Sequence, residues 1–241
     1  MSTAEKEVLE WKGRTGPFSI LVDPGVFNPT HTSRFLADAL EINEGDTVID
    51  VGCGSGVLSF VSARLGAARV IGCDIEEKAV LQARENARLL GLADRAEFRA
   101  GSLLEPVKDE RANVIIGDVS GVPDSLGRVA GWFPGGHAGG PTGAELPTMM
   151  LESLDDILVP GGRMYLPTGT IQAESKVLEV ARRIFGAANM ETVLEKEFPL
   201  PDVVAKSKEI AKLVGDGLVS LRTKGSRVLW RLAIWRCVRA D

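Results

Sequence analysis

Two hydrophobic periods alternate along the chain. Short β-branched runs, Val48-Ile-Asp-Val51, Arg69-Val-Ile-Gly-Cys-Asp74, Arg95 to Ala100 and Ala112-Asn-Val-Ile-Ile-Gly117, read as buried parallel strands. Between them lie helical patterns. Val57, Leu58, Val61 and Leu65 share one face, and Ala79, Val80, Ala83, Ala87 and Leu90 share another. Glu76 and Glu77 open the second helix, Arg88 lies near its end and Gly91 stops it, as the helix dipole and the left-handed cap favour. Strands alternating with helices predict a parallel sheet covered on both faces. Upstream, residues 4–11 are expected to form a short helix. A strand over Gly16–Asp23, a loop over Pro24–Thr32 and a helix over Ser33–Leu40 follow, with Thr30 or Thr32 as cap.

The Gly/Pro-rich stretch 119–143 reads as one long loop, and its Trp132 and Phe133 argue against disorder. The two aromatics either wall a substrate site as a lid or anchor the loop to the core. A helix over Ala144–Leu158 and a fifth strand over Arg163–Leu166 come next. The tail gives a helix (172–185), a strand (191–198), a charged helix (202–214) and a hairpin pairing 218–223 with 227–238. Trp230 and Trp235 in the last strand read as core or interface residues.

The stretch Val48-Ile-Asp-Val-Gly-Cys-Gly-Ser-Gly56 carries the chemistry. A strand breaks into a glycine turn and a helix begins, so a ligand can approach the backbone where a Cβ would block it. The spacing is not that of a dinucleotide fingerprint, because Val57 stands where the third glycine belongs. The turn is also preceded by a carboxylate, Asp50, which suits a cationic ligand better than a pyrophosphate. Asp74 ends the next strand about 20 residues past the glycines, the place of an acid that binds ribose hydroxyls.

Asp50, the three glycines and Asp74 together resemble the first two motifs of class I S-adenosylmethionine-dependent methyltransferases. The resemblance covers roughly residues 46–166. The loop Asn28-Pro-Thr-His31 followed by Thr32 is similar to that of the release-factor glutamine methyltransferases, and to a loop in the enzymes that methylate a large-ribosomal-subunit protein. Gly139-Gly-Pro-Thr-Gly143 and Leu158-Val-Pro-Gly-Gly162 also resemble the release-factor group. That group carries Asn-Pro-Pro-Tyr after the fourth strand. Here Asp118-Val-Ser-Gly121 stands instead, so fold and cofactor carry over and the glutamine substrate does not.

The resemblance implies a Rossmann-like α/β fold: a seven-stranded, mostly parallel sheet of order 3-2-1-4-5-7-6 with helices on both faces. Residues 1–43 would form an N-terminal extension with a cofactor-covering loop and helix. Residues 44–241 would form the methyltransferase domain, with an insertion at about 200–226. The implied cofactor contacts are Thr32, Asp50, Gly52, Cys53, Gly54, Asp74, Ile75, Ser102, Leu103 and Asp118. Asp118 replaces the signature Asn and either orients and deprotonates an acceptor or only caps the following turn. His31 and His137, the only histidines, are the other candidate bases, with a surface or loop-stabilising role as the alternative.

Composition narrows this little. Net charge is −5 and the pI about 5.3, which argues against a nucleic-acid partner. The three cysteines lack metal-ligand spacing, and no metal is expected. No apolar leader or membrane-length apolar stretch is seen, so a cytoplasmic location is the expectation. The expected activity is methyl transfer to a nitrogen or oxygen of a small-molecule or peptide acceptor. The alternative is a cyclisation or elimination on the same fold. The sequence does not fix the oligomeric state.

Overall fold

A computed structural model describes residues 6–133, 138–154 and 156–240. Its main sheet contains β3 (Thr47–Val51), β4 (Arg69–Asp74), β5 (Ala96–Ala100), β6 (Ala112–Gly117), β7 (Leu158–Gly169), β8 (Met190–Pro199), β9 (Arg222–Lys224) and β10 (Arg227–Val238). The spatial order is β5-β4-β3-β6-β7-β10-β8, with β9 paired to β10. Counted from β3 without β9, this is the expected 3-2-1-4-5-7-6. The five strands from β5 to β7 run parallel, and β10 is antiparallel to β7 and β8.

Alternate strand residues fill two cores on opposite faces. Val48, Val70, Val114 and Ile116 pack beneath α1 (His31–Ala39), α2 (Val57–Leu65) and α3 (Glu77–Leu89). Ile49, Ile71, Ile115 and Leu166 face the other way, toward residues of α5 (Glu145–Glu152) and α6 (Glu174–Phe185). A third cluster joins Leu126 of α4 (Asp124–Ala130) and Ile171 to Val204 of α7 (Asp202–Ala205) and to Ile210 and Leu213 of α8 (Lys208–Gly215). The charged segment that holds α7 and α8 therefore packs on α4 in the loop after β6.

Several local expectations are corrected. Residues 4–11 do not give a helix. The described part is β1 (Glu7–Trp11), paired antiparallel with β2 (Phe18–Val22). Leu9 and Trp11 alternate inward with Phe18, Ile20 and Val22, a period of two that serves a sheet and not a helix. The expected loop over 119–143 contains α4, which Gly131 ends in the left-handed conformation. The expected helix over Ala144–Leu158 stops at Glu152, and β7 starts at Leu158. The charged helix of 202–214 breaks in two at Ser207, whose side chain accepts from Ile210 N as the cap of α8. Among the described residues no helix is long and apolar enough to cross a membrane.

Candidate active site

The carboxyl ends of β3, β4, β6 and β7 open onto one cleft of about 400 Å³. This is where open α/β sheets place their ligands. Gly52, Cys53 and Gly54 of the turn after β3 line it. So do Asp74 and Ile75 after β4, Ser102 and Leu103 after β5, and Asp118 after β6. The loop 24–30 and Thr32 close one side. Asp50 is fully buried beneath the turn and does not line the cleft.

Two glycines have specific reasons. A Cβ on Gly52 would lie 2.7 Å from the backbone oxygen of Asp118, so the first and fourth strands approach this closely only without one. Gly54 has a φ of 51°, and the nearest atom to its missing Cβ is the Phe27 carbonyl oxygen at 3.7 Å, so the space above it is open to a ligand. Gly54 N donates to Asp74 Oδ2 at 2.9 Å, and Glu76 N donates to Asp74 Oδ1 at 2.9 Å. The second acid thus braces the glycine turn and keeps lone pairs for a ligand. Leu103 is a non-glycine residue at φ 49°, a strained conformation at a position facing the cleft.

Three carboxylates meet here, and no Lys or Arg of the described residues pairs with any of them. Asp50 Oδ2 accepts from Ser59 Oγ at 2.6 Å, while Oδ1 has no partner. Burial pushes the Asp50 carboxyl up to about 7; the Ser59 bond opposes this, and Asp118 and Asp74 add to it. Burial also raises Asp74, against the backbone N–H groups of Glu76 and Gly54. Asp118 is half-buried and pushed up to about 6, again by burial, with the Ser33 hydroxyl opposing. A site so charged, with an unpartnered buried oxygen beneath an open glycine turn, fits a cationic, ribose-bearing ligand such as S-adenosylmethionine.

Ser33 is a residue that sequence reasoning missed. Its Oγ donates to Asp118 Oδ2 at 3.2 Å and accepts from Thr30 N at 3.4 Å as part of a capping box. The hydroxyl ties the start of α1 to the fourth strand. Thr30, and not Thr32, is the cap. The spacing Thr30-x-x-Ser33 was the available signal. The covering loop is held from the other side by Lys78, which bridges to Asp23 at 3.1 Å. Phe27 of that loop stacks on Phe133, centroids 5.5 Å apart and 11° between planes, so the two loops meet over the cleft. Phe133 is therefore a wall, whereas Trp132 packs with the insertion cluster. Trp230 lines the cleft; Trp235 donates to Thr168 Oγ1 at 3.0 Å.

The candidate bases separate. Asp118 lies in the cleft. His31 is exposed, stacks on Phe198 at 5.5 Å and does not line it. His137 lies outside the described residues. Cys53, Cys73 and Cys237 are buried thiols; burial pushes Cys73 and Cys237 up to about 12, so they are not thiolate nucleophiles.

Fold and cleft together define the class: this is the Rossmann-like fold of class I S-adenosylmethionine-dependent methyltransferases. Within that class, residues 21–120 match the family model described as ribosomal protein L11 methyltransferase (PrmA). A curated ribosomal protein L11 methyltransferase of Syntrophomonas wolfei is 37% identical over 116 residues, covering 46% of this chain and 38% of the relative. The chain thus spans about two fifths of the length of the curated relatives it matches. A solved ribosomal protein L11 methylase from Lactobacillus delbrueckii superposes with a TM-score of 0.54 at 22% identity, covering 91% of this chain and 84% of that one. A T. thermophilus 16S rRNA methyltransferase in complex with AdoMet and guanosine gives a TM-score of 0.65 at 18% identity, covering 98% and 51%. These two show the shared fold. The names of the curated relatives give a ribosomal protein as acceptor, which overturns the expectation of a small-molecule or peptide acceptor.

Proposed function

We propose that this chain transfers the methyl group of S-adenosylmethionine to a nitrogen of a protein acceptor, with ribosomal proteins as the acceptor class. One observation carries the reading: the matched stretch, residues 21–120, holds the covering loop, the glycine turn, Asp74 and Asp118, and all of them border one cleft. The net charge of −5 complements a basic acceptor. A ribosomal-protein acceptor supports a cytoplasmic location.

Bound S-adenosylmethionine supplies an electrophilic methyl on a sulfonium. The rest of the work is positioning by the chain's own residues. Gly54 would give the methionyl part room against the turn, and Gly52 lets that turn pack against the backbone of Asp118. Asp50 places negative charge beneath it. Asp74 would accept from the ribose hydroxyls, and Ile75 and Leu103 would pack on the base. Asp118 accepts a hydrogen bond from the acceptor N–H and points the nitrogen lone pair at the methyl. Held near 6, it is mostly ionised at neutral pH and still basic enough to take the proton. Ser33 fixes the carboxylate's direction and keeps it ionised.

The reading is tested by incubating the protein with methyl-labelled cofactor and total ribosomal protein freed of RNA. Label is expected in one or a few protein bands. Tight cofactor binding with no label in any protein refutes protein methylation.

A further inference from the structure

Gln172 lies just past the end of β7 at Gly169. Its backbone is fixed: Gln172 N donates to Gly169 O at 3.0 Å, and Ala173 N donates to Thr142 O at 2.9 Å. The residue is 5% exposed, yet it lines the cleft. Among the described residues its Nε2 has no hydrogen-bond partner. The carboxamide presses on the turn that follows Asp118. A Cβ on Gly121 would lie 2.2 Å from Gln172 Oε1. The neighbouring lining is apolar, with Pro167, Ile171, Trp230 and Leu232.

A buried amide donor without a partner is unfavourable, and an apolar side chain of that shape would avoid the cost. Methionine would fill the same space. Nothing holds the nitrogen, so rotation about the last side-chain torsion can turn it to a ligand. Apart from Thr32 and Asp118, the contacts implied for the cofactor lie on β3 and on the turns after β3, β4 and β5. Gln172 sits instead against the turn after β6, beside the candidate base.

We infer that Gln172 is a positioning residue for the acceptor: its carboxamide nitrogen donates to a carbonyl oxygen of the acceptor protein next to the target nitrogen. The inference rests on the methyl-transfer reading above. The amide occupies the space beside Gly121 in the turn that follows Asp118, which places it at the acceptor side of the cleft. Losing this donor removes binding that ground state and transition state share, so the acceptor KM should rise with little change in kcat.

The test compares Gln172→Met and Gln172→Glu with wild type, using the ribosomal protein that the wild type labels. Both variants should raise the acceptor KM about 3- to 10-fold, the worth of one neutral hydrogen bond. Cofactor affinity by calorimetry should be unchanged. The melting temperature of Gln172→Met should equal or exceed that of wild type, which a scaffolding role would not allow. An unchanged acceptor KM in Gln172→Met overturns the inference. So does a melting temperature well below wild type, because the amide is then structural. A Gln172→Glu variant that keeps its KM while Gln172→Met loses it overturns the donor assignment, since the contact is then to the oxygen. Wild type that binds cofactor and labels no protein is a separate result: it removes the methyl-transfer reading, and this inference falls with it.

Discussion

Asp50→Asn should make the cofactor-free protein more stable and a poorer binder. The substitution keeps the shape and an oxygen for the Ser59 hydroxyl, at 2.6 Å in the native site. It removes a buried charge whose second oxygen has no partner. The folded pKa, about 7, is above the ordinary 3.8. The stability linked to this group is therefore full below about 3.8 and lost as pH rises through about 7. At about 1.36 kcal/mol per unit, burying Asp50 costs about 4 kcal/mol at pH 8, where it is ionised, and about 2 kcal/mol at pH 5, where folding must take up a proton, as upper values. The Asn amide leaves a buried donor unpaired, which costs about 1–3 kcal/mol. The net gain is about 1–3 kcal/mol at pH 8 and near zero at pH 5. For a chain of this size that is a rise in Tm on the order of 5 °C at the higher pH. Thermal melts of both proteins at the two pH values measure it directly. Calorimetry should show cofactor affinity falling about 10- to 100-fold, the worth of one interaction with a charged group. A variant that melts below wild type at pH 8 refutes the reasoning, because the charge would then be stabilising without a ligand.

Three further outcomes follow from the same geometry. Asp74→Ala should weaken cofactor binding by at least about tenfold, since it removes the ribose acceptor and also the brace on Gly54 N; calorimetry with an intact circular dichroism spectrum checks it, and unchanged affinity would place the wrong acid in the site. Asp118→Asn should leave cofactor affinity nearly unchanged and lower turnover by roughly 10²–10⁴-fold; unchanged turnover would remove Asp118 from the mechanism. Ser33→Ala removes the hydrogen bond that favours ionised Asp118, so the acidic limb of the rate profile, expected near 6, should move to higher pH; a limb that stays in place would show that Ser33 does not act through Asp118.

The main sheet was legible because parallel strands buried on both faces leave continuous apolar runs, and the glycine turn fixed where the first of them ends. Val48 to Gly56 alone located the cleft. The N-terminal hairpin was misread because Glu7 to Trp11 is short, charged and only partly buried, and its period of two becomes clear only against β2. Helix α4 was hidden among glycines and prolines, since its single buried leucine, Leu126, finds its partners in the distant insertion. The glycine and acid lining of the cleft was readable because a strand that breaks into a tight turn demands glycine there. The acceptor half was not. Gln172 carries no local signal, and its meaning comes from contacts with Gly121, fifty-one positions away in sequence. Ser33 looked like an ordinary helix-start residue until Asp118 was placed beside it.

The proposed activity is methyl transfer to a protein nitrogen with Asp118 as the base. Intact-mass spectrometry of the acceptor protein labelled by the wild type, before and after incubation with unlabelled cofactor, tests it most directly. Wild type should add the mass of one or more methyl groups to the acceptor, and Asp118→Asn almost none in the same time at equal cofactor saturation. Equal modification by the two proteins, or a cofactor consumed without any gain in acceptor mass, would contradict it.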